Sequence, residues 1–198
     1  MIRTLTFLFF VSFTFISLSI SLYSQTTPQD ESLATIPMPS VDYEPGPDHP
    51  YGRLNPEAPP ETAELGFLIG EFDCEDRIFN PKDNKWYKMK VLRKAEYILN
   101  GFAIQDRNWT PILNSTNIRA FDPISKKWQI TYFKTPYSTG VWSGGKEGEN
   151  MVFLQEGKNT ISRLTFFDIG TDGYSWKAET VTDETARINW EFTCKRRK

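Results

Sequence analysis

Histidine is almost missing from these 198 residues: the only one, His49, lies in a proline-rich stretch. One imidazole outside the core excludes histidine-based catalysis and a histidine-held haem. Cysteine is scarce as well, at two residues, Cys74 and Cys194. With no histidine to activate a thiolate, neither reads as a catalytic nucleophile. Charge of one sign is lacking, since 23 Lys and Arg stand against 25 Asp and Glu for a net −2. No nucleic-acid partner is therefore expected. The single basic run, Lys195-Arg196-Arg197-Lys198, reads as a solvated terminus. There is no nucleophile elbow and no zinc spacing. The glycine-rich stretch Gly140 to Gly148 lacks the Lys-Ser/Thr ending of a phosphate loop and reads as a flexible hairpin. No metal and no cofactor are expected.

Only one long apolar run occurs, Leu5 to Leu22, and it opens the chain. With Arg3 before it and the small Ser24 after it, residues 1–25 read as a secretory signal. The mature protein is then secreted or periplasmic, with no stable membrane insertion after cleavage. On a eukaryotic secretory route, Asn108-Trp109-Thr110 and Asn114-Ser115-Thr116 are glycosylation acceptors. Residues 26–60 carry nine prolines, a density that neither helix nor central strand survives. They read as a flexible leader, with Tyr43, Tyr51 and Leu54 able to pack on the following domain.

Aromatic residues are abundant: 15% of the chain, including six Trp. A domain of this size does not need so many for its core, so some can line a cavity. From Pro60 to Leu68, acidic residues in the first turn suit a short helix. From Phe67 onward, strand-like segments are separated by turn chemistry such as Asn80-Pro81-Lys82-Asp83-Asn84, Asn100-Gly101 and Gly170-Thr171-Asp172-Gly173. About ten strands joined by hairpin-length links predict an all-β, up-and-down antiparallel barrel over residues 61–198, closed so that no edge is exposed.

Alternation along each strand predicts the inward residues. One set runs from Tyr87 through Met89, Val91, Arg93, Ala95 and Tyr97 to Leu99. Trp128, Ile130 and Tyr132 form another, and Ile161, Arg163, Thr165 and Phe167 a third. Tyr174, Trp176 and Ala178 follow, then Ile188, Trp190, Phe192 and Cys194. Phe102, Ile104, Asp106 and Asn108 share a face. Arg93 and Arg163 thus stand among apolar neighbours and need a partner, because burying an isolated charge is prohibitive. Asp106 is a candidate. Either an internal salt bridge holds the barrel, or an arginine grips a ligand's acidic group. The acid pairs Glu71/Asp73 and Glu75/Asp76 read as a solvated strand end. Cys74 and Cys194 fall on the first and last strands, which are neighbours in a closed barrel. They form a disulfide across the seam or remain two buried thiols.

Several short motifs resemble those of the calycin-like, lipocalin-like bacterial proteins grouped as the domain of unknown function DUF1579. These are Leu65-Gly66-Phe67-Leu68-Ile69-Gly70-Glu71-Phe72, Tyr97-Ile98-Leu99-Asn100-Gly101-Phe102, Phe121-Asp122-Pro123 with Lys126-Lys127-Trp128, and Glu191-Phe192-Thr193-Cys194-Lys195-Arg196. The resemblance implies a lipocalin-like (calycin) barrel and leaves activity open. Phe72 stands where lipocalin relatives carry Trp. The core histidine of the haem-binding nitrobindin relatives has no counterpart here.

The leading expectation is a barrel binding a small, partly apolar ligand, acidic or not, through Arg93, Arg163, Tyr97, Asp106, Tyr132, Trp176 and Trp190. The second is a cofactor-independent isomerase, cyclase or lyase drawing on Tyr87, Tyr97, Tyr132, Asp106 and Glu179. The third is a protein-interaction module built on the leader and the outer face.

Overall fold

A computed structural model describes residues 36–198. The expected signal segment and the start of the leader lie outside the described residues. Ten antiparallel strands close into one barrel: β1 Gly70–Asn80, β2 Lys85–Ile98, β3 Ala103–Trp109, β4 Asn114–Asp122, β5 Lys127–Lys134, β6 Ser138–Glu147, β7 Asn150–Glu156, β8 Ile161–Phe167, β9 Gly173–Val181 and β10 Ala186–Arg196. Each strand pairs with its sequence neighbours, and β10 returns to β1. This is the lipocalin-like up-and-down barrel, and closure leaves no unpaired edge. The expected flexible hairpin at Gly140 to Gly148 is instead regular strand up to Glu147.

Pro60–Leu68 forms a short helix before the barrel, wound as a 3-10 helix. Three residues per turn put Thr62, Leu65 and Leu68 in one line. Those three are its buried residues. The helix plugs one end of the barrel, where the Glu64 carboxylate accepts a bond from Trp128 Nε1 at 3.2 Å. The floor of the core is aromatic there: Phe67 and Phe72 pack edge-on against Tyr174 at 5.3 and 5.2 Å.

The basic terminus is not merely solvated. The Arg196 guanidinium lies 4.6 Å over the Phe72 ring. It donates to the carbonyls of Phe67, Ile69 and Thr171. The last carbonyls of the helix thus find a cation, as helix C-termini favour. Arg197 pairs outward with Glu71 and Asp73.

The later part of the expected leader is also built onto this closed end. Tyr97 N–H donates to Tyr51 C=O at 2.8 Å. Asn55 is buried and donates to Asn100 C=O at 3.0 Å, and Tyr43 N–H donates to Asn100 Oδ1 at 3.2 Å. Prolines removed helix and strand from this stretch, but side-chain and turn hydrogen bonds replaced them. Gly101, at φ +83, lets the Arg53 carbonyl approach where a Cβ would stand only 2.4 Å away.

Cys74 lies directly opposite Cys194 in the β1–β10 register, and their sulfurs are joined.

Candidate functional site: the barrel cavity

The barrel is plugged at the helix end and holds a cavity of about 250 Å³ toward the other. Its walls differ in chemistry. One side is aromatic, from β9 and β10. The Trp176 and Phe192 rings stack at 4.7 Å and 15°, and Trp190 meets Trp176 edge-on at 6.0 Å. The other side, from β2 to β5, is polar: Arg93, Asp106, Asn108, Asn117, Arg119 and Tyr132 line it.

The polar groups form a continuous network. Asp76 is completely buried and accepts from Arg93 Nη2 and from Trp190 Nε1, both at 2.8 Å. Arg93 also donates to Asn108 Oδ1. Its guanidinium lies 3.7 Å over Phe192. Phe192 therefore meets both a guanidinium and a stacked indole, a setting favourable for a desolvated cation. Asp106 accepts from Asn108 at 3.0 Å, from Asn117 at 2.7 Å and from Arg119. Two guanidiniums and two carboxylates cancel, so the interior wall carries no net charge.

Burial governs how these groups hold protons. It pushes the Asp76 carboxyl above the usual aspartate value, against the opposing pull of Arg93 and Trp190. Burial likewise lowers Arg119 to about 10, which leaves it charged at neutral pH. Burial also raises the Tyr132 hydroxyl, so it faces the cavity as a neutral donor or acceptor.

Of the residues expected in the site, Arg93, Asp106, Tyr132, Trp176 and Trp190 meet around the cavity. Tyr97 is buried but belongs to the plugged end, beside Gly66, and does not line the cavity. Arg163 is a correction. The inward residues of β8 are Ser162, Leu164 and Phe166. Arg163 lies on the outer face, paired with Glu179 at 3.0 Å. The strand reads Ile-Ser-Arg-Leu-Thr-Phe-Phe, with apolar residues on both parities, so alternation alone does not choose a face. Registry decides it: Phe166 is opposite Trp176 and Leu164 opposite Ala178. Tyr87 near the mouth and Leu99 in the β2–β3 turn at the plugged end are exposed rather than inward. Ile188 also turns out, because the register shifts between Ile188 and Trp190.

Four residues that matter escaped the sequence reading: Asp76, Asn108 as a ligand of Arg93, Asn117 and Arg119. Asp76 was grouped with the exposed acids of β1, yet it shares parity with Phe72 and Cys74, which was the available signal. Arg93 pairs with it rather than with Asp106. Asn108 is buried, so the first of the two glycosylation sequons lies inside the barrel. Among the described residues, no group of three or more His, Cys, Asp or Glu could hold a metal ion.

The sequence matches no protein-family model and no curated protein. Solved structures similar in fold include the following two. One is Rv2717c from M. tuberculosis, at TM-score 0.50 and 8% identity, covering 72% of this chain and 100% of that one. The other is the S-type phycobiliprotein lyase CPES from Guillardia theta, at TM-score 0.46 and 10% identity, covering 70% of this chain and 96% of that one. At such identities the likeness is one of fold.

Proposed function

We propose that this chain is an exported barrel that binds a small, partly apolar molecule in its cavity. The observation that carries the reading is the two-sided wall: an aromatic stack faces a hydrogen-bonded polar network across about 250 Å³. Ligand sites combine apolar area with a few placed polar groups in this way. An engineered cavity of about 150 Å³ holds benzene, so this one suits a ring with a short substituent. The signal-like first residues and the joined cysteines support export. The four short motifs support placing the chain with the DUF1579 proteins.

Native mass spectrometry tests the reading. Protein purified from its own host is compared before and after denaturation. A reproducible extra mass lost on denaturation supports binding and identifies the ligand class. A clean apo mass overturns tight binding. The enclosed Asp76 carboxyl, raised by burial, favours a second reading, cofactor-independent proton transfer. Loss of turnover of the identified ligand in Asp76→Asn, with its binding retained, would establish that reading.

A further inference from the structure

The interior charges cancel, but the mouth of the cavity does not follow them. Lys134 continues the inward row Ile130 and Tyr132 at the last position of β5 and lines the cavity. Its cross-strand partners are Ser115 and Ser138, both uncharged. Among the described residues its amine makes no ion pair. Lys94 also borders the cavity, but it stands on the outward parity of β2 and its amine pairs with Glu96 at 3.5 Å. The cavity therefore holds one uncompensated positive charge, and it sits at the entrance.

Position then orders the ligand. A charged group pushed inward would meet Arg93 and Arg119, whose charges Asp76 and Asp106 already balance, and burying a further charge there is costly. A charge left at the mouth meets Lys134 and keeps part of its hydration. The Trp176–Phe192 stack offers a flat apolar surface deeper in. One lysine balances one negative charge. A phosphate monoester, at about −1.5 to −2 near neutral pH, exceeds it, whereas a carboxylate matches it.

We infer that the ligand is a small cyclic monocarboxylate that enters ring first and leaves its carboxylate on Lys134 at the mouth; this rests on the cavity-binding reading above. Lys134 is then the residue that selects for charge, and Arg93 is structural.

The test titrates three probes with one ring and different charges, indole, indole-3-acetate and tryptamine, by isothermal calorimetry. The full mature protein is compared with Lys134→Gln and Lys134→Arg, after their urea midpoints are matched to the parent. Indole-3-acetate should bind roughly tenfold tighter than indole, with tryptamine weakest. The preference should vanish in Lys134→Gln and return in Lys134→Arg. Equal affinity for indole and its acetate, or a preference that survives in Lys134→Gln, overturns the inference and leaves cavity binding standing. Failure of all three probes also overturns it. Only that failure together with a clean apo mass from host-purified protein removes both readings.

Discussion

At the scale of single residues, the interior is held by paired charges. Arg119 is buried and its carboxylate partner Asp106 has no second cation among the described residues. Arg119→Ala should lower the unfolding free energy by about 3–5 kcal/mol, because it leaves Asp106 buried and uncompensated. A urea melt reads this directly, and a change under 1 kcal/mol would mean the pair behaves as a surface one. Two carboxylates should bend the pH profile in opposite senses. Asp76 binds its proton more tightly when folded, so acidification from its folded value down to 3.8 favours the fold. Glu179 behaves otherwise. Burial raises it, but bonds from Arg163 and Lys177 outweigh that and lower it from 4.5. Its stabilisation is complete above 4.5 and fades as pH falls through the folded value. Acid-side loss of stability should therefore be steeper than wild type in Asp76→Asn and shallower in Glu179→Gln. Urea midpoints across the carboxylate range decide it, and matching slopes in both variants would sink the assignment.

At the scale of elements, β6 and the segment before the helix each carry a distinct lesson. Gly140 faces inward beside Trp142, and a Cβ there would stand 2.4 Å from the indole. Gly140→Ala should push Trp142 out of the cavity wall and cost about 1–3 kcal/mol from overpacking. An unchanged tryptophan emission spectrum together with an unchanged urea midpoint would show that the ring yields freely. Residues 41–60 belong to the stretch, residues 26–60, that the sequence marks as a flexible leader. Their bonds to Tyr97 and Asn100 imply otherwise. Deleting them should expose the β2–β3 turn, and amide exchange at Tyr97 should accelerate by at least about tenfold, the loss of one buried hydrogen bond. The sequence showed the prolines but not the docking, because those contacts join residues up to 57 positions apart.

At the scale of the whole molecule, the Cys74–Cys194 bond spans 120 residues and closes the seam between first and last strands. Constraining so long a loop is worth about 4–5 kcal/mol in the chain-entropy account, with 2–4 typical in practice. Reduction should lower the urea midpoint accordingly. An unshifted midpoint in the fully reduced protein would mean that the β1–β10 ladder alone holds the seam.

The sequence by itself determined the all-β barrel, its ten strands, the helix bounds and most inward residues. Turn chemistry and alternation are local, and each hairpin reads from a dozen neighbouring positions. Five of the seven expected ligand-binding residues meet around the cavity for that reason. Tertiary structure alone decided the rest. The face of β8 depended on registry with Trp176 and Ala178, since its own sequence is apolar on both sides. The choice of Asp76 as partner to Arg93, and of Asp106 to Arg119, depended on diagonal reach between hairpin neighbours, β1 with β2 and β3 with β4, since the residues directly opposite the two arginines there are Phe72 and Ile104. Alternation says which face a side chain takes, not which diagonal neighbour it reaches. That follows from how the side chains pack in the enclosed core, and only the folded barrel records it.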